Sequence, residues 1–346
     1  MIQTKVTRTL ASAGLAPAGK LSHSYHSLLP VLALCLATAA WSQTTGPRGP
    51  HRPSILSGLT SSAKPAADTP ASSRYKFITI VVPGSPNTQP YGINNDRLVT
   101  GYYQDASLNY HGFVWQAGAF QTVDYPGAVY TILYAVNNLG VAIGYYGDGT
   151  AEHVVMYSVP TGTWKLLPDI PGYADNEGYG INDSGVAVGN AYQGSTNAAW
   201  VWRPGMSAYS FFSDPAAVPS GTYPGGINDK GQVAGYFCIT DPCYNASNEV
   251  FGFLRQGKTY TTIAPPGASG TYAGGINNSG TMDGQWQDAA GAAQGFVLTS
   301  SGLYTTVDYP GPKVTGLGAI NDHGDITGVY VEDPSGYLIA FMGIPR

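Results

Sequence analysis

Apolar residues in this chain rarely keep a helical spacing. They alternate with polar ones in short runs that close on glycine. The clearest run is Gly180-Ile181-Asn182-Asp183-Ser184-Gly185-Val186-Ala187-Val188-Gly189. An apolar strand end enters a polar turn, and an alternating apolar run leaves it. Alternation with a period of two marks a half-buried strand. Asn and Asp side chains bond the backbone two residues on, and Gly accepts a positive φ. The stretch therefore predicts strand, tight turn, strand. Five variants begin at Gly92, Ala135, Gly226, Gly275 and Ala319. Their Ile or Val residues fall at 93, 136, 181, 227, 276 and 320, with spacings of 43, 45, 46, 49 and 44. In the first copy Arg97 stands in the Gly slot. A left-handed conformation there costs about 1 kcal/mol, so that turn is expected to be built differently.

Each copy continues with a polar loop and a third strand, such as His111-Gly112-Phe113-Val114-Trp115 or Gln294-Gly295-Phe296-Val297. A fourth follows in Phe120 to Gly127, Tyr260 to Ile263 and Tyr304 to Gly311. Four strands in about 40–45 residues is the size of a β-propeller blade. The sixth copy runs only to a third strand ending at Phe341, while Tyr75-Lys76-Phe77-Ile78-Thr79-Ile80-Val81-Val82-Pro83-Gly84 matches Tyr304 to Gly311. The expected fold is all-β: a six-bladed propeller of four-stranded blades whose N-terminal strand completes the last blade and removes an open edge. A β-solenoid would leave the strand at Tyr75 without a reason.

The G-I-N-[ND]-x-G-x-[IV]-x-G core, the H-G-F third strand and the T-T-[IV]-D-x-P-G fourth strand resemble the bacterial extracellular repeats called the HAF family. The resemblance spans residues 75–346. It implies export and repetition, and supplies no activity or catalytic residue.

Composition agrees with a turn-rich β-protein: 46 Gly, 25 Pro and 25 Tyr, with 11% charged residues. Residues 1–42 read as a secretion signal, with Lys5, Arg8 and Lys20 ahead of the apolar Leu28–Ala37 and small residues after it. That apolar run is short for a membrane span, so no transmembrane segment is expected in the mature chain. Residues 43–74 read as a Pro/Ser/Thr/Ala-rich linker. Secretion to the periplasm, the cell surface or the medium follows. Through Arg74 there are seven basic residues against Asp68; the rest holds nine basic and twenty acidic. A propeller near −11 argues against nucleic acid as a partner and for cations or neutral glycans; the partner expected is a polysaccharide or a cell-surface protein. The chain is expected to act as a monomer. Cys35 falls in the signal, and Cys238 with Cys243 reads as a disulfide in an exported chain.

The long loops collect aromatics beside carboxylates: Tyr103 with Asp105, Tyr146 with Asp148, Trp286 with Asp288, and Tyr330. Flat rings beside acceptors suit sugar rings, and equally suit packing between blades. Asp124 and Asp308 in the D-Y-P-G turns read as turn acceptors. The turns carry single acids and no D-x-D-x-D loop, so no metal is expected. No cofactor fingerprint, nucleophile elbow or HExxH is present, and no catalytic residue is named. The sequence thus favours a binding or surface-interaction module, ahead of a polysaccharide hydrolase or lyase using loop carboxylates, and of a purely structural repeat.

Overall fold

The computed structural model describes residues 74–85, 87–240, 250–288, 293–311, 315–332 and 337–346. The expected signal, the linker through residue 73 and Cys243 lie outside the described residues. The described residues form twenty-four strands. After β1 (Tyr75–Ile80), blade 1 holds β2 (Asn87–Ile93), β3 (Val99–Gln104), β4 (Tyr110–Gln116) and β5 (Ala119–Thr122). Blade 2 holds β6 (Tyr130–Val136), β7 (Val141–Gly147), β8 (Glu152–Ser158) and β9 (Thr163–Leu166). Blade 3 holds β10 (Asp175–Ile181), β11 (Ala187–Gln193), β12 (Thr196–Trp202) and β13 (Ser210–Phe212). Blade 4 holds β14 (Thr222–Ile227), β15 (Val233–Cys238), β16 (Val250–Gln256) and β17 (Thr259–Ile263). Blade 5 holds β18 (Gly270–Ile276), β19 (Met282–Gln287), β20 (Ala293–Leu298) and β21 (Tyr304–Val307). Blade 6 holds β22 (Thr315–Ile320), β23 (Ile326–Glu332) and β24 (Tyr337–Pro345), and β1 is its fourth strand. The fold is a six-bladed propeller closed by its N-terminal strand.

Closure is antiparallel, from Tyr75 opposite Pro345 to Ile80 opposite Ala340. Ile80 is fully buried, so this strand belongs to the core. In five of the six blades the glycine that closes the motif faces an aromatic residue of the third strand, as Gly101 opposite Phe113, Gly189 opposite Trp200 and Gly284 opposite Phe296; in blade 2 Gly144 faces Val155. A Cβ on Gly101 would lie 2.0 Å from the Gln89 carbonyl oxygen and 2.8 Å from the Phe113 ring. These aromatic side chains are among the largest fully buried in the chain, each worth about 1.5–3 kcal/mol of transfer free energy.

Blades are joined at the motif turns. Each motif Asn wraps its own turn through Oδ1 and donates Nδ2 to the carbonyl of the next blade's Asn. The steps run Asn94 to Asn137, Asn182, Asn228, Asn277, Asn321 and back to Asn94, at 2.9–3.2 Å. All six are buried. A second ring follows on the next residue, each backbone amide donating to the next blade's side chain: Asn95, Asn138, Asp183, Asp229, Asn278, Asp322. At the other end of the inner strands, buried Thr88, Thr131, Thr222 and Thr315 accept from Val82, Tyr125, Asp214 and Tyr309 of the preceding loops, at 2.9–3.1 Å.

The first turn corrects one expectation. Arg97 has φ 58°, close to the 73° of Gly185 in the same slot. Its amide bonds the Asn94 carbonyl as Gly185 bonds that of Asn182. The turn is therefore built like the others. The guanidinium provides the compensation: Nε and Nη2 bond Asp325 at 2.9 and 3.3 Å, across the closure of the ring. Among the described residues, no helix is long and apolar enough to cross a membrane.

Candidate functional site

Two regions gather chemistry: the loop face and the axis. On the loop face, β4 and β8 begin with histidines in equivalent places. His111 Nδ1 meets Asp124 Oδ2 at 2.8 Å, and Nε2 lies 3.5 Å from Asp105. His153 repeats this with Asp169 at 2.8 Å and Asp148 at 3.4 Å. Partial burial opposes charge on each ring, but the bonds and charges of the two carboxylates outweigh it, and both histidines titrate above their ordinary value. Asp105 accepts from Asn109 and Ser107, which holds it down to about 2. Asp148 accepts from Thr150 and Ala151 and is likewise depressed.

The aromatics of this face are stacked within the protein. Tyr103 lies on His111 at 5.2 Å, and its hydroxyl meets Thr122 at 2.8 Å. Tyr146 is held between Tyr125, at 4.0 Å and 11°, and His153, at 5.0 Å. Tyr330 is 8% exposed and stacks on Tyr309 at 3.9 Å. Trp286 packs half-buried against the core between blades 4 and 5, and Asp288 accepts from Gln294 at 3.2 Å. The seven expected residues thus form pairs within blades 1, 2 and 5, with Tyr330 in blade 6. His111 and His153, with Asp124 and Asp169, tie the first two pairs together. Cys238 is buried at the end of β15. His323 sits in a motif turn, its amide bonding Asn321 Oδ1. Among the described residues, no group of three or more His, Cys, Asp or Glu is arranged to hold a metal ion.

The axis offers a different environment. Every inner strand carries a β-bulge just before the motif, where its register against the second strand shifts. A bulge re-aims the extra residue. In blades 1 to 3 that residue is Tyr91, Tyr134 or Tyr179; in blades 4 to 6 glycine occupies the place, at Gly225, Gly274 and Gly318. All six line an axial cavity of about 160 Å³. Its floor, on the turn side, is the ring of six motif Ile and Val residues. Tyr223, Tyr236, Tyr272 and Gln285 complete the wall, and no charged side chain lines it.

The polar atoms here divide into two kinds. The Tyr91 hydroxyl donates to Gln89, and that of Tyr179 to Glu177. The rings of Tyr134 and Tyr91 lie 4.6 Å apart, and those of Tyr134 and Tyr179 4.9 Å. By contrast, both amide atoms of Gln285 and the hydroxyl of Tyr272 are buried without a protein partner. Burial raises the Tyr272 hydroxyl, keeping it a neutral donor. An unmet buried amide or hydroxyl costs about 1–3 kcal/mol. Sequence reasoning missed this wall, although the split of Tyr and Gly ahead of the six motifs was visible.

No protein-family model matches the chain, and no curated protein matches it either. Solved structures do. AofleA from Arthrobotrys oligospora superposes with a TM-score of 0.50 at 11% identity, over 79% of this chain and 88% of that one. TolB from Acinetobacter baumannii gives 0.48 at 7%, over 70% and 63%. The Aleuria aurantia lectin, solved with α-methyl-L-fucoside, gives 0.44 at 12%, over 78% and 97%. At these identities the likeness concerns the fold alone.

Proposed function

We propose that this chain is an exported carbohydrate-binding propeller with its binding site in the axial cavity. One observation carries the reading: five tyrosines share the cavity wall with the buried, unpartnered Gln285 amide and Tyr272 hydroxyl, with no charged side chain in the lining. A sugar presents apolar C–H faces to aromatic rings and hydroxyls to an amide, which can donate and accept at once. Export rests on the apolar segment 28–37 and on the HAF-type motif core. Its destination is the periplasm, the cell surface or the medium. The hydrolase or lyase reading needs two convergent carboxylates. None lines the cavity, and Asp105 and Asp148 on the loop face are committed to capping their own loops.

The test is calorimetric titration of the purified chain with a panel of neutral mono- and oligosaccharides, with new reducing ends monitored in parallel. Binding should occur without release of sugars. Gln285→Leu and Tyr272→Phe should weaken it, and Phe exchanged for Tyr146 should not. Binding indifferent to Gln285→Leu, or no binding across the panel, would refute the axial site. Released sugars would point to an enzyme.

A further inference from the structure

A second cavity lies between blades 3 and 4, away from the axis. It has a volume of about 370 Å³ and is bounded by β12, β13 and the segment that enters β14. Asn197 lines it, is 7% exposed, and has a partner at neither its amide nitrogen nor its amide oxygen. Phe211 forms its rim and is 52% exposed, with Tyr173 at 6.1 Å on one side. Ser213, Ser220 and Thr222 add hydroxyls, and no charged residue lines the groove.

Each feature has a reason to be unusual. A buried amide normally finds partners, because leaving both ends unmet is costly. A large aromatic ring half in water is common singly, but here it borders the groove that holds the unmet amide. Thr222 is already engaged at both of its oxygens. Thr222 Oγ1 accepts from the Asp214 amide at 3.0 Å, and the Thr222 carbonyl accepts from Asn190 Nδ2 at 3.1 Å. Asn197 is thus left as a donor and acceptor side by side, beside an open ring.

We infer that this groove is a second, separate saccharide site, taking one neutral sugar residue that presents two adjacent hydroxyls. The Asn197 amide donates to one hydroxyl and accepts from the other. Phe211 covers an apolar face of the ring. The absence of charge in the lining excludes acidic sugars and phosphorylated ligands. The inference stands on observations other than those at the axis, and the two sites fail separately. Two sites in one rigid chain would also let it bridge two chain ends of a glycan or hold one chain by avidity.

The experiment uses the full chain and methyl glycosides of glucose, galactose, mannose and fucose, with titration calorimetry and saturation-transfer NMR. Two sites per chain are expected for the sugar that binds. Phe211→Ala changes an exposed side chain and should leave thermal unfolding unchanged. It should weaken one site about tenfold, the equivalent of a single lost contact of about 1.4 kcal/mol. Asn197→Leu keeps the volume and should abolish the same site. Gln285→Leu should leave that site intact. If Phe211→Ala folds normally and every binding isotherm is unchanged, the groove is not a saccharide site. A stoichiometry of one that Gln285→Leu reduces to zero overturns the inference while leaving the axial site standing.

Discussion

The closed ring of asparagines can be broken at one step, and Asn137→Ala is the informative place. Asn137 is 5% exposed. Its Oδ1 accepts from Leu139 and Val141 at 3.1 and 2.9 Å, and its Nδ2 donates to the Asn182 carbonyl at 3.0 Å. Alanine leaves two amides without partners, and the Asn182 carbonyl keeps only the Gly185 amide. The amide of exposed Leu139 can turn to water; the Val141 amide has less access to it. One stranded group at about 1–3 kcal/mol and one lost inter-blade hydrogen bond at about 0.5–1.5 kcal/mol predict a loss of roughly 1.5–4.5 kcal/mol. That is a large share of the roughly 5–15 kcal/mol of a typical domain. The melting temperature should fall by roughly 3–18 °C, at about 2–4 °C per kcal/mol for a domain near this size. Asn137→Asp keeps the acceptors for the turn but sets a buried carboxylate against the Asn182 carbonyl in place of the donor, so a cost above that of Asn137→Ala would locate the loss at the inter-blade link. Asn138→Ala, in the more exposed second ring, should cost under about 1 kcal/mol. Denaturant unfolding of the three variants decides the matter. A cost for Asn137→Ala no larger than that of Asn138→Ala would refute the argument that the inner ring holds the blades together.

Other outcomes follow from the same geometry. Arg97→Gly relieves the strained φ but strands buried Asp325, so it should destabilise; adding Asp325→Asn should recover most of the loss, measured by thermal unfolding. His111 and His153 titrate above 6.5 in the folded state, so their ion pairs contribute fully below 6.5 and are lost as pH rises through the folded value. The double variant His111→Gln and His153→Gln should therefore melt a few degrees below the parent at pH 5.5, and the gap should close at alkaline pH. Asp283 is fully buried, and burial raises it from 3.8 to about 7. The native state then holds a proton that the unfolded chain has released, so stability falls as pH rises between about 4 and 7. Asp283→Asn keeps the acceptor for the Gly275 amide and should raise the melting temperature at pH 7.5 while changing little at pH 4.

Much of this architecture is legible in the chain because it is built from local signals. The Asn and Gly of each turn, the aromatic after H-G, and the match of Tyr75–Gly84 to Tyr304–Gly311 each state a backbone or packing need within ten residues. What escapes reading depends on partners far apart. Arg97 looks like an error in its turn until Asp325, 228 residues away, is placed beside it. Tyr146 looks like an open platform until Tyr125 of the preceding blade's loop covers one face and His153 the other. The axial wall is hidden for a third reason: the bulge that turns Tyr91, Tyr134 and Tyr179 to the axis adds one residue to a strand, and no residue type announces it.

The six copies carry their own comparison. The motif Asn is the same in all six, because each must donate to its neighbour and a single gap opens the ring. Three residues earlier the copies divide, with tyrosine in three successive blades and glycine in the next three. A purely structural ring has no need of that asymmetry, since six equal blades could repeat one residue there. The three bulge tyrosines line the axial cavity from blades 1 to 3, and glycine at the same place in blades 4 to 6 leaves room there for Tyr223, Tyr236, Tyr272 and Gln285 to line it. The same division leaves Gln285 and Tyr272 of blade 5 opposite the tyrosines of blades 1 to 3. Where the repeats agree the chain is being held together, and where they part it has made room for something else.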